Sequence, residues 1–236
     1  MTHIFSKTLL ASLLCMAAVS VSAAPILVKT VEQTNGRLTN SLTLPIQSGA
    51  ANYWAGSLTL VIDDVHSVLA FCSDPWETTS NINQVYDTSS LDSVFGSTKS
   101  NFIRELYSEF YESTLEKTVA GSYAAAGFQL ALWEIIADGD LVLDGTGLVR
   151  SNALTNPIIV GIANNMLSQL DGILGGELYD FTFYTNGMVN GQGDIEGYQD
   201  FLVVSKKPNN EVPEPASTLL LVTALGGGLL LRRRQK

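Results

Sequence analysis

Ala124-Ala125-Ala126-Gly127-Phe128-Gln129-Leu130-Ala131-Leu132-Trp133-Glu134-Ile135 sets a carboxamide in the middle of a helix-forming, largely apolar series. The helix is expected from about Ala120 to Asp138, with Gly139 as its stop. At about 100° per residue, Glu134 and Asp138 fall on the side of Tyr123, Gly127 and Ala131 and define a solvent face. Gln129 lies opposite. Its neighbours three and four residues away are Ala125, Ala126, Leu132 and Trp133, so its amide belongs in the interior. A buried amide without partners costs on the order of a few kcal/mol, so a structural hydrogen bond to backbone or a more specific partner must satisfy it.

Other segments surround this helix. From Pro25 to Phe71 the chain reads as strands and turns: Thr39 to Ile46 alternates in part, Gly56 to Ile62 is β-branched and apolar, and Val65 to Phe71 follows the polar turn Asp63-Asp64. Residues 73 to 93, rich in Ser, Asn and Asp, read as loop. A helix from about Thr98 to Ser113 carries Phe102, Ile103, Leu106 and Phe110 on one face. Another begins at Asn156-Pro157, a capping residue and a first-turn proline, with Ile158, Ile159, Ile162, Met166 and Leu170 in one stripe. Strands return at Leu178 to Thr185 and Tyr198 to Ser205. Strands, then helices, then strands predict an α+β domain, a β-sandwich or barrel with a helical insertion.

Both ends of the 236-residue chain read as addresses. Lys7, the apolar run Leu9 to Val21 and the small residues Val21-Ser22-Ala23 form a secretory signal, residues 1–23, cut after Ala23. Leu14 before Cys15 argues against a lipid anchor there. At the other end come Val212-Pro213-Glu214-Pro215, an apolar stretch Ser217 to Leu231, and Arg232-Arg233-Arg234. The stretch has 15 residues, about 22 Å of helix, against a hydrocarbon core of ~30 Å, so it suits transient membrane anchoring better than permanent spanning. The arginines would stay cytoplasmic and leave Pro213-Glu214-Pro215 just outside the membrane. These three parts resemble the PEP-CTERM sorting signal of Gram-negative bacteria, here residues 213–236. The resemblance implies an exosortase partner during export, and a destination at the cell surface, outer membrane or extracellular matrix. The domain between is expected at 24–205, with a polar linker at 206–212.

Residues 24 to 212 keep eight Lys and Arg against 22 Asp and Glu, a net charge near −14. That argues against nucleic acid or an anionic membrane surface as partner. One cysteine remains, Cys72, so no intramolecular disulfide can form where one would be expected. A free cysteine commonly packs as a small buried hydrophobe. Yet Phe71-Cys72 at a strand end, together with Gln129, Ala131, Trp133 and Glu134 on the helix, resembles the bacterial thioester domains, Cys-Gln surface proteins with an aromatic-Cys strand motif and a Gln-x-Ala-(Ile/Leu)-Trp-Glu helix. The sequence departs from that pattern at Phe128, Leu132 and Ser73-Asp74. The resemblance implies a bond between the Cys72 sulfur and the Gln129 side-chain carbonyl, with Ala131, Trp133 and Glu134 supporting the helix.

A thiol that displaces ammonia from a carboxamide leaves a thioester, a much better electrophile. It needs shelter from water and access for a chosen nucleophile. An amine on a surface or matrix partner, such as a protein lysine, would attack the Gln129 carbonyl and release the Cys72 thiol. Each molecule would react once, without a cofactor, so this is covalent capture and not an enzyme. Adhesion to a host and crosslinking within an exopolysaccharide matrix both fit. The alternative is a passive exopolysaccharide or biofilm matrix protein with an ordinary buried thiol. A cysteine hydrolase would need a histidine base. The mature chain keeps only His66, six residues along the strand and roughly 20 Å from Cys72, which reads as a surface or turn residue. Asp138-x-Asp140 and Asp144-Gly145 lack the spacing of a calcium loop, so no metal site is expected. Tyr53, Trp54 and Trp76 could stack on sugars but read as core.

Overall fold

The computed structural model describes residues 26–43, 50–75, 77–152, 155–173, 178–187 and 197–208. The expected signal peptide, the sorting signal with Pro213, Glu214, Pro215, Arg232, Arg233 and Arg234, and the side chain of Trp76 lie outside them.

Among the described residues, seven strands and three helices run in the order β1 (Ile26–Thr43), β2 (Ala50–Ile62), β3 (His66–Cys72), β4 (Gln84–Ser89), α1 (Leu91–Thr114), α2 (Val119–Ala137), β5 (Arg150–Ser151), α3 (Pro157–Leu167), β6 (Tyr179–Thr185) and β7 (Phe201–Lys206). Every pairing is antiparallel, and the order β1-β2-β3-β7-β6-β4 returns to β1. Six strands therefore close a barrel, which leaves no long open edge. The two-residue β5 is appended to the end of β1. All three helices fall between β4 and β6, so the expected α+β architecture with a helical insertion takes the barrel form.

Four details depart from expectation. The Ser-, Asn- and Asp-rich loop contains β4, because backbone pairing to β1 and β6 needs only one large inward residue, the buried Tyr86. α1 starts at Leu91, capped by Ser90, and Gly96 at φ 72° breaks it into two helical pieces, the second of which matches the expected start near Thr98. Of the expected α3 stripe Ile159, Met166 and Leu170 are buried, but Ile158, in the first turn beside the proline, is 58% exposed and Ala163 takes a place in the buried face.

The fourth correction concerns α2, which has no solvent face over most of its length. Every residue from Ala125 to Ile135 is buried, Gly127, Ala131 and Glu134 included. The side expected to meet water is covered by α3, so close that a Cβ on Gly127 would lie 2.4 Å from Ile162 Cγ2. The Asp138 carboxylate folds the following segment back by accepting hydrogen bonds from the Leu148 and Val149 amides. α2 packs against α1, α3, β1 and β2. Its length and apolarity would suit a membrane span, but here they reflect burial on all sides.

The near end of α2 is pinned by a break in β1. Pairing shifts register between Gln33/Asn35 and Asn35/Leu38, and Gly36 takes φ 72°, where an added Cβ would sit 2.9 Å from Ala125 Cβ and from the Ser122 carbonyl. Asn35 donates to the carbonyls of Thr114 and Glu116 and accepts from the Ser122 hydroxyl. One side chain thus ties the strand to the end of α1 and the start of α2, which fixes how far along the barrel Gln129 falls.

Candidate functional site

β2 and β3 pair from Leu58↔Ala70 to Ile62↔His66 and no further toward Cys72. On its other side Cys72 faces Phe201, with the Ser73 amide donating to the Asp200 carbonyl at 3.0 Å. The N–H and C=O of Cys72 itself therefore point to the side that β2 has left. α2 fills that place with one residue: Cys72 N–H donates to Gln129 Oε1 at 3.0 Å, and Gln129 Nε2 donates to the Cys72 carbonyl at 2.7 Å. The carboxamide behaves as one residue of a neighbouring strand and bridges the backbone of the residue that carries the thiol. Gln129 is fully buried and Cys72 is 7% exposed. Cys72 is a free thiol, the one cysteine among the described residues. Burial, with a smaller contribution from Asp74, pushes its pKa far above the ordinary thiol value.

A cleft of about 640 Å³ opens over the Cys72 side of this pair, between Tyr53, Leu58, Glu77 and Trp133, with Trp54 and Glu32 also lining it. Trp133 stands edge-on to Tyr53, centroids 6.4 Å apart at 77°, so one side of the cleft is aromatic. Gln129 lies behind Cys72 and does not line it. Trp133 Nε1, Tyr53 OH, Glu77 Oε2 and Thr30 Oγ1 are buried atoms without a hydrogen-bond partner, and all four residues line this cleft.

Carboxylates gather at one edge. Burial first, then Asp74 and Asp200, push Glu77 up to about 8. Burial likewise raises Asp200 to about 7, with Asp74 adding and the hydrogen bond from the Asn186 amide opposing. The segment is held by the Tyr86 hydroxyl, which donates to the Gln199 carbonyl at 2.8 Å, and by the Gln199 side chain, which donates to the Asp74 carbonyl.

The structure therefore brings Cys72, Gln129 and Trp133 together. Ala131 and Glu134 lie elsewhere on α2, away from the cleft. Glu134 is 1% exposed and hydrogen-bonds to Asp140; burial above all, then that contact and the nearby aspartates, raise it to about 9. Asp140 and Asp144 accept from backbone amides within their own turns, and Asp138 from the Leu148 and Val149 amides further along the chain. Among the described residues no group of three or more His, Cys, Asp or Glu is arranged to hold a metal ion. His66 is exposed at the far end of β3 from Cys72. Sequence reading passed over Glu77, Gln199 and Asp200. The available signal was the carboxylates two and five positions after Cys72, inside a segment taken as plain loop.

No protein-family model matches the sequence, and no curated protein does. Among solved structures, the chain is similar to the N-terminal domain of the Streptococcus pyogenes pilus tip adhesin Cpa, with a TM-score of 0.40 and 12% sequence identity over 80% of this chain and 97% of that one.

Proposed function

We propose that this chain is an exported surface or matrix protein whose barrel domain attaches covalently to a partner through a Cys72-Gln129 thioester. The supporting observation is the Gln129 carboxamide bonded across both main-chain polar groups of the only described cysteine, in a buried pocket that a cleft reaches from the thiol side. The Cys72 N–H is aimed at Oε1, where negative charge gathers when sulfur adds to the carbonyl carbon. In that step the S–C bond forms, the C–N bond breaks, and Nε2 leaves as ammonia with the thiol proton. A primary amine then reverses the electrophile's fate: its nitrogen bonds to the same carbon, the C–S bond breaks, and Cys72 regains a proton. Among the described residues the lining offers an aromatic wall and carboxylates but no Lys, Arg or His, which suits a cationic arrival. Capture is once per molecule and needs no cofactor. Delivery by an exosortase acting on the PEP-CTERM-like end of a Gram-negative protein rests on the sequence alone.

The second reading is a passive matrix protein. It is favoured by the completeness of the Gln129 hydrogen bonds and by burial that keeps the Cys72 thiol neutral and inert. Intact mass separates the two: a purified chain lighter than its sequence by one ammonia, with the deficit absent from Cys72→Ala and Gln129→Ala, supports the thioester. A full mass in freshly prepared protein leaves the passive reading.

A further inference from the structure

The four unpartnered polar atoms over Cys72 are not explained by the fold. Trp133 is 98% buried by area, since it is 2% exposed, yet its Nε1 finds no partner, and Tyr53 OH, Thr30 Oγ1 and Glu77 Oε2 share that condition on the same cleft. Buried polar atoms are ordinarily paired, so such convergence marks a place where another molecule completes the bonding. Its walls specify that molecule. The rings of Tyr53 and Trp133 with Leu58 suit an aliphatic stem, and aromatic faces beside Glu32 and Glu77 favour a positive head. An ammonium ion has no free electron pair, however, and cannot attack until it loses a proton.

We propose that Glu77 is the proton acceptor for an incoming alkylammonium in the cleft over Cys72, which selects lysine-type side chains over neutral nucleophiles such as sugar hydroxyls. The inference rests on the thioester reading above. One proton passes from R–NH3+ to the Glu77 carboxylate; the amine nitrogen bonds to the Gln129 carbonyl carbon; the C–S bond breaks with its electron pair on sulfur; and the second amine proton ends on Cys72 as the thiol. The net products are the amide, the thiol and one proton, which Glu77 passes to solvent. The groups facing Glu77 are Asp74 beside it, Asp200 at the start of β7, Glu32 from β1, Tyr53 from β2, Cys72 from β3 and Tyr86 from β4. None of them is cationic. Burial first, then the crowding carboxylates, hold Glu77 at about 8, closer to the ~10.4 of lysine than an ordinary carboxylate; only its ionised form accepts the proton, so the coupling rate rises as pH climbs through that value.

The test compares the full chain with Glu77→Gln and Glu32→Gln, each first weighed for the ammonia deficit. Each is then timed at about pH 8.5, where Glu77 is largely ionised, with Nα-acetyl-lysine amide, still mainly a cation there, and again with hydroxylamine, which is neutral. Glu77→Gln is expected to couple the lysine probe roughly 100-fold more slowly, to leave the hydroxylamine rate unchanged, and to converge on wild type as pH approaches the probe's own pKa. Glu32→Gln, which removes only an exposed charge at the cleft, is expected to slow the lysine probe by no more than about threefold and to keep the wild-type pH profile. A Glu77→Gln chain that keeps the deficit and couples both probes at wild-type rates, or slows equally with both, overturns the assignment. Loss of the deficit in Glu77→Gln alone also overturns it, by moving Glu77 into bond formation. A wild-type chain without the deficit removes the thioester reading, and this inference with it.

Discussion

Two adjacent pairs, Phe71 with Phe128 and Cys72 with Gln129, join the same strand to the same helix and do opposite things. Phe71 and Phe128 meet at 4.6 Å between centroids, and Tyr107 and Tyr111 close around them, Tyr107 edge-on to Phe128 at 4.9 Å and 88°. One residue along, the contact is polar and opens onto a cleft with four unpartnered atoms. On the aromatic side, among the described residues, the one buried side-chain polar atom without a partner is the Tyr107 hydroxyl. The aromatic side spends its contacts on holding α2 against the barrel. The cysteine side leaves hydrogen-bonding capacity unused, which stability alone does not favour.

That contrast can be broken by substitution. Phe128→Ala is expected to cost about 3 to 5 kcal/mol, seen as a lower denaturation midpoint, while any chain that still folds keeps its reaction with amines. Next comes Glu134→Gln. The folded carboxyl titrates near 9 and the unfolded one near 4.5, so wild type loses stability as pH rises between those values, where only the unfolded state ionises. The variant should gain about 1.4 kcal/mol over wild type for each pH unit above 4.5, on the order of 4 to 5 kcal/mol near pH 8, and nothing below pH 4.5; denaturant melts at the two pH values read this directly. Tyr86→Phe strands the buried Gln199 carbonyl and should cost about 1 kcal/mol. Tyr53→Phe removes a hydroxyl that bonds to nothing and should change stability by less than about 0.5 kcal/mol. If the two tyrosines cost the same, the cleft is not under-bonded and the contrast fails.

Much of this was legible beforehand. Gln129 could be placed inside because its neighbours at three and four residues are all apolar, and α3 could be started at Asn156 because cap and proline are local signals. Glu134 could not: periodicity ranks the faces of a helix but does not reveal that α3, brought close by Gly127, and the turn held by Asp138 cover the one expected to be wet. β4 was hidden because its strand character comes from partners on both sides, and only Tyr86 turns inward. The cleft escaped for a related reason. Glu77, Tyr53 and Trp133 are far apart in the chain, and barrel closure is what gathers them.

The most direct measurement is a peptide map after exposure of the native chain to methylamine, with Cys72 alkylation scored before and after. A thioester predicts Gln129 one methylene heavier than glutamine, and a Cys72 that alkylates only once the amine has acted. An unmodified Gln129, with Cys72 alkylating fully on unfolding without any amine, would contradict it.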